Sequence, residues 1–277
     1  MKRFCILLSS CLLVALLMLL PVSGESEASV TVYVTVSNKG EQVAAAMGVT
    51  VTDFDSDGAI TVSDALFAAH EAAYSGGAAA GYQAYVGDYG LSLSRLWGDG
   101  SGAYGYYLNN ASCLSLAAPV ANGDYVAAFV YKDTMSFADV YCYFDRLTAE
   151  VEQGGEISLT LTSLGYNENW ETVTLPVQGA EITVNGTPTG RFTNEEGKVT
   201  LAALESGDLL IGARSSEQEL VPPVCRLSVA GDVAATDAIT NVDADKTAGC
   251  GGVIGLAAML PALCGGLIAL CKRGKRA

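Results

Sequence analysis

Between residues 53 and 64 the chain reads Asp53-Phe54-Asp55-Ser56-Asp57-Gly58-Ala59-Ile60-Thr61-Val62-Ser63-Asp64. Counted from Asp53, carboxylates fall at positions 1, 3, 5 and 12, glycine at 6 and an apolar residue at 8. That register is what a hard divalent cation requires. Such an ion takes about six to eight oxygens; alternate residues of a tight loop aim theirs inward, and glycine permits the sharp bend. Asp53, Asp55, Asp57 and Asp64 would supply carboxylates, Ala59 its carbonyl and Thr61 its hydroxyl, with Ile60 turned back into the protein. A solvated acidic turn shares the composition but has no need of Gly58 and Ile60 in register. The pattern predicts a calcium site.

The twelve-residue spacing is that of an EF-hand loop. Aspartate at the last position, where EF-hands carry glutamate, resembles the calcium loop of dockerin modules. The resemblance covers one of the two loops a dockerin carries, because Asp243-Ala244-Asp245-Lys246 lacks the rest of the pattern. It implies structural calcium and, as one alternative, a scaffold partner.

Other reactive side chains are sparse. His70 is the one histidine in the chain, and it shares a helical stripe with Leu66 and Tyr74, the place of a packed histidine rather than a base. No Gly-x-Ser-x-Gly, His-Glu-x-x-His or phosphate loop occurs. Gly98-Asp99-Gly100-Ser101-Gly102 is glycine-rich, but no lysine follows it. No catalytic residue is assigned, and the chain is not read as an enzyme. The candidate ligand-binding residues are aromatic: Trp97, Tyr104, Tyr106, Tyr107 and Tyr125 lie close together in the chain. Tyr104 and Tyr106 fall on one face of a strand and Tyr107 on the other. One face must be core, and the other could stack a sugar or peptide.

Positioning these groups takes a framework. Ser29–Val36 alternates polar and apolar residues and predicts a half-buried strand. A helix is predicted over Ala65–Tyr74, and a loop over Gly76–Gly81. Strands follow around 89–98, 102–110, 120–131 and 138–144, with Asn122-Gly123 as a tight-turn signal. The strings Thr61-Val62 with Asp64-Ala65-Leu66, then Trp97, then Gly105-Tyr106-Tyr107 with Asn109, then Gly123-Asp124-Tyr125 resemble the β-grasp domain of the transcobalamin C-terminus and of many bacterial surface proteins. The resemblance spans residues 29–145. It implies an α+β unit and, as a further alternative, capture of a corrinoid or other small molecule for uptake.

From 150 to 230 turns recur between alternating strands, which predicts an all-β sandwich. Gly179-Ala180 with Ile182, Val184-Asn185-Gly186 and Gly197-Lys198-Val199 with Leu201 is similar to transthyretin-like stalk domains. Lys198 is the one lysine in this stretch and falls in a turn, so no lysine–asparagine isopeptide is predicted. Residues 231–248 read as a polar linker.

The two ends carry targeting signals. Met1-Lys2-Arg3 followed by an apolar run to Val22 predicts a signal peptide over 1–24, with the mature start near residue 25 or 29. At the other end, residues 249–277 read as a transmembrane or sorting tail. An uncharged stretch from Val253 to Cys271 is long enough for a transmembrane helix, and the basic residues after it would hold the bulk outside. The expected location is therefore an exported cell-surface protein of bacterial type. All thirty acidic residues lie between the two ends against nine basic ones, a net of −21. That charge excludes nucleic acid and suits cation binding. Within that span Cys113, Cys142 and Cys225 are odd in number; Cys113 and Cys142 could pair. The combined expectation is a calcium-stabilised, surface-tethered binding protein whose partner is a glycan, protein or small molecule.

Overall fold

Val32, Val34 and Val36 alternate with Tyr33 and Thr35 in the first strand, and the three valines are fully buried. β-Branched residues at period two favour this pleated, buried setting. The computed structural model describes residues 28–231, apart from 170 and 203. The described residues fall within one unit by contact, and residues 232–277 lie outside them.

The N-terminal part begins with β1 (Ser29–Asn38) and β2 (Glu41–Thr52), an antiparallel hairpin. It continues through α1 (Val62–Ala73), the short α2 (Gly77–Gly81) and a separate hairpin of β3 (Gln83–Gly87) and β4 (Gly90–Arg95). β5 (Tyr104–Leu108), β6 (Ala111–Ser112) and β7 (Tyr125–Val130) complete it. The sheet order is β2-β1-β7-β5-β6, with β1 and β7 parallel. β7 serves two cores. Val126, Ala128 and Val130 pack on the side of α1, while Ala127 and Phe129 pack on the opposite face. A strand buried on both faces reads as an unbroken apolar run, as Tyr125–Tyr131 does.

α1 presents Val62, Ala65, Leu66, Ala69 and His70 to the sheet, the stripe expected of a helix with one apolar face. Its start is set by a capping box, in which Thr61 and Asp64 satisfy each other's backbone amides. Beyond Ala73 the chain leaves the helix in extended backbone at Tyr74, and Gly76 and Gly77 follow at φ 89° and 66°.

The C-terminal part holds β8 (Val140–Phe144), β9 (Thr148–Glu152), β10 (Glu156–Tyr166), β11 (Thr172–Pro176), β12 (Glu181–Val184), β13 (Thr187–Phe192), β14 (Lys198–Ala202), β15 (Gly207–Arg214), β16 (Leu220–Val221) and β17 (Cys225–Ala230). One sheet runs β11-β10-β8-β16 with β14 on β10; the other runs β13-β12-β15-β17-β9. Leu159, Leu161, Ile182, Ile211 and Leu227 fill the core they share.

Three corrections follow. The α+β, β-grasp-like reading is overturned, because the described residues are 53% strand and 8% helix. The longer described helix ends at Ala73, where Tyr74 leaves it in extended backbone, and from Gln83 to Ala230 the described elements are strands. The strand over 138–144, read as the end of the first unit, pairs instead with β10 and β16 of the second. The transmembrane helix finds no support: among the described residues no helix is long and apolar enough to cross a membrane. The span over 253–271, the signal peptide and nearly all of the linker lie outside those residues.

Candidate functional sites

The acidic loop leaves β2 at Thr52 and enters α1 at Val62. Ser56 and Gly58 adopt φ of 60° and 92°, which turn the loop tightly. One carboxylate oxygen each from Asp53, Asp55 and Asp57 lie within 4.8 Å of one another. Asp53 also accepts from the Asp57 amide at 3.1 Å and the Gly58 amide at 2.8 Å, and Asp57 from the Ala59 amide at 2.9 Å. These bonds hold three negative groups together on an exposed turn. The Asp55 carboxyl is raised above the ordinary aspartate value, by desolvation first and then by the charges of Asp57 and Asp64.

The remaining predicted ligands are placed differently. Thr61 and Asp64 are buried at the helix start. Asp64 Oδ2 accepts from the Thr61 amide at 2.7 Å and from its hydroxyl at 2.6 Å, and Oδ1 accepts from the Phe54 amide at 3.1 Å. A carboxylate oxygen has two lone pairs. Oδ2 is therefore saturated and Oδ1 keeps one acceptor site, so Asp64 can offer an ion one oxygen and not two. Asp64 closes the loop on itself and caps the helix at the same time. The three grouped carboxylates of Asp53, Asp55 and Asp57 suit a hard cation, and Asp64 is not in that group.

His70 is fully buried. Nδ1 lies 2.7 Å from the Leu66 carbonyl and must carry the proton, so Nε2 accepts from the Trp97 amide at 3.0 Å. Burial lowers its pKa below the ordinary histidine value. Both nitrogens are engaged, Nδ1 within α1 and Nε2 tying α1 to the turn at Trp97, a non-glycine residue held at φ 50°.

The five predicted aromatic ligands do not form one surface. Trp97 packs edge-on to Tyr74 and beside His70. Tyr104 donates its hydroxyl to the Asp99 carbonyl at 2.8 Å. Tyr106 packs against the core under α1. Tyr107 and Tyr125 lie on the far side of the sheet, in a seam with Phe129, Tyr141 and Val221. Tyr107 stacks on Tyr141 at 3.7 Å and 4°. Burial pushes the Tyr107 and Tyr125 hydroxyls up to about 12. The seam joins the N-terminal sheet to β8 and β16, so two of the five rings hold the two parts of the chain together.

A different aromatic group is open. Phe54, in the acidic loop, stacks on Phe67 of α1 at 3.9 Å and 6° and remains 40% exposed. Clefts of about 390 Å³ and 420 Å³ flank this pair. Tyr82 meets Phe67 edge-on, and its hydroxyl shares a 2.8 Å hydrogen bond with Ser63. The available signal was Phe54 itself, an apolar ring at the second position of the acidic loop.

The three cysteines are free thiols, so the suggested pairing of Cys113 with Cys142 is not present. Cys142 is buried in the second core, and burial pushes its thiol pKa up.

No family model and no curated protein matches this chain. Among solved structures it is similar to the D0-D1 domain of intimin, at 14% identity and a TM-score of 0.27 over 73% of this chain and 99% of that one. Tandem Ig repeats of Dlar match at 12% identity and a TM-score of 0.24 over 73% and 95%. The N-terminal four Ig domains of Dscam1 isoform 4.44 match at 13% identity and a TM-score of 0.23 over 39% of this chain and 23% of that one. The chain thus spans about a quarter of the length of that Dscam1 structure. At such scores these likenesses assign no activity, ligand or partner to this chain.

Proposed function

We propose that the chain is an extracellular, non-catalytic binding protein whose N-terminal part is stabilised by calcium. The observation that carries the metal reading is the convergence of the Asp53, Asp55 and Asp57 carboxylates within 4.8 Å. Three like charges this close repel one another, and a divalent cation reverses that repulsion. The ion would be held by these three side chains and would brace the loop between β2 and α1. The non-catalytic reading is supported by His70, whose ring nitrogens are both engaged in structural hydrogen bonds. The export reading is supported by the basic-then-apolar N-terminus and by an acidic balance suited to extracellular fluid.

The test is thermal unfolding in millimolar calcium and in chelator. Extracellular calcium modules have Kd values of about 10⁻⁴ to 10⁻³ M. A tenfold excess over Kd stabilises by about 1.4 kcal/mol, or about 3–5 °C in Tm for a unit of this size. The expected result is that rise in the parent chain and none in Asp53→Ala/Asp57→Ala. Identical melts in calcium and chelator would reject the metal.

A further inference from the structure

We propose that the two clefts flanking the Phe54–Phe67 ring pair form one site for a neutral oligosaccharide. This rests on the reading of the chain as an extracellular binding protein, but not on the calcium. Both clefts are bounded by the same two rings and by Glu71. Asp55 and Tyr82 line the first, and Thr50 and Thr52 the second. Each volume lies within the range of small-molecule clefts, where apolar walls carry a few polar groups that orient the ligand.

The chemistry selects the ligand class. One face of Phe54 is covered by Phe67, and the residue is still 40% exposed. An open aromatic face takes a flat apolar surface of similar size. The carboxylate of Glu71, which lines both clefts, is an acceptor and asks for donors. A pyranose presents both surfaces, with C–H groups on its face and hydroxyl donors around its edge. Neither cleft is lined by lysine or arginine, so a phosphate, sulfate or carboxylate would meet only negative charge. Glu71 is held in place between the clefts, where Oε1 accepts from the Ala78 amide at 2.8 Å. Two clefts sharing one ring pair and one acceptor suit two consecutive sugar units that straddle Phe54.

The experiment is calorimetric titration of the full chain with cellobiose, maltose, lactose and diacetylchitobiose, run once with millimolar calcium and once with chelator. At least one disaccharide is expected to bind saturably. Phe54→Ala and Glu71→Gln should each weaken that binding by about tenfold or more, with melting curves that still show one cooperative transition. Tyr89→Ala, at a ring 88% exposed but outside both clefts, should leave it unchanged. The proposal is overturned if none of the four binds, if binding survives Phe54→Ala, or if cadaverine binds in a Phe54-dependent way and no sugar does. Sugar binding without any calcium-dependent melt would reject the metal and leave this site standing. A calcium-dependent melt without sugar binding would reject this site alone.

Discussion

The aromatic seam and the Phe54 cleft are built from the same kind of residue on opposite sides of one sheet, and they do opposite things. In the seam Tyr107, Tyr141 and Phe129 lie nearly parallel, and β8 and β16 of the C-terminal part cover them. In the cleft Phe54 and Phe67 are just as parallel, but solvent reaches the outer ring. Ring density along the chain therefore does not mark a binding surface. The tyrosines crowd together in sequence because β5 and β7 meet packed side chains on both faces, Tyr106 under α1 and Tyr107 and Tyr125 in the seam. The open ring stands apart, in a loop whose neighbours are carboxylates.

Breaking the seam should cost most. Phe129 is 1% exposed and also fills the space above Gly105, where an added Cβ would come within 2.3 Å of the ring. Phe129→Ala should destabilise by about 3–5 kcal/mol, read as a loss of urea midpoint at unchanged slope. A cost near that of a surface residue would mean the seam is not a shared core.

The pH dependence sharpens the comparison on the cleft side of the sheet, where His70 ties α1 to Trp97. Its folded pKa lies below the ordinary value of 6.5, so the unfolded chain binds the proton more readily. The contribution is then fully present above about pH 6.5 and is lost as pH falls from there towards the folded pKa. His70→Gln should flatten that part of a Tm-against-pH curve. An unchanged slope would move its origin to the carboxylates.

The smallest effect is expected at the open ring. Phe54→Ala removes one half-exposed stacking partner and should cost about 0.5–1.5 kcal/mol. A loss as large as that of Phe129→Ala would make Phe54 a core residue and close the cleft as a site.

Much of the local architecture was legible. Valine and threonine alternation marked β1, and the apolar run Tyr125–Tyr131 marked a buried strand. The helix after the acidic loop was expected from Ala65 and begins at Val62, three residues earlier, because the Thr61–Asp64 capping box sets its start. Of the four carboxylates in the acidic register, the structure brings Asp53, Asp55 and Asp57 together. What was missed depends on partners distant in sequence. Strand 140–144 looks the same whether it pairs with β7 or with β10, since pairing leaves no mark on a strand's own alternation. The helical share was overestimated because one well-formed helix stood beside strands too short to weigh individually.

Sequence by itself determined the signals that act over a few residues. These are the acidic loop and its glycine, the cap of α1, the turn at Asn122-Gly123 and the strong negative charge between two apolar ends. Each is a matter of backbone geometry or composition within one or two turns of chain. Tertiary structure alone decided which aromatic rings are covered. Coverage depends on β8 and β16 arriving from residues 140 and 220 to bury Tyr107 and Tyr125. Among the described residues nothing comparable covers Phe54, because α2 and the β3–β4 hairpin border its cleft without filling it.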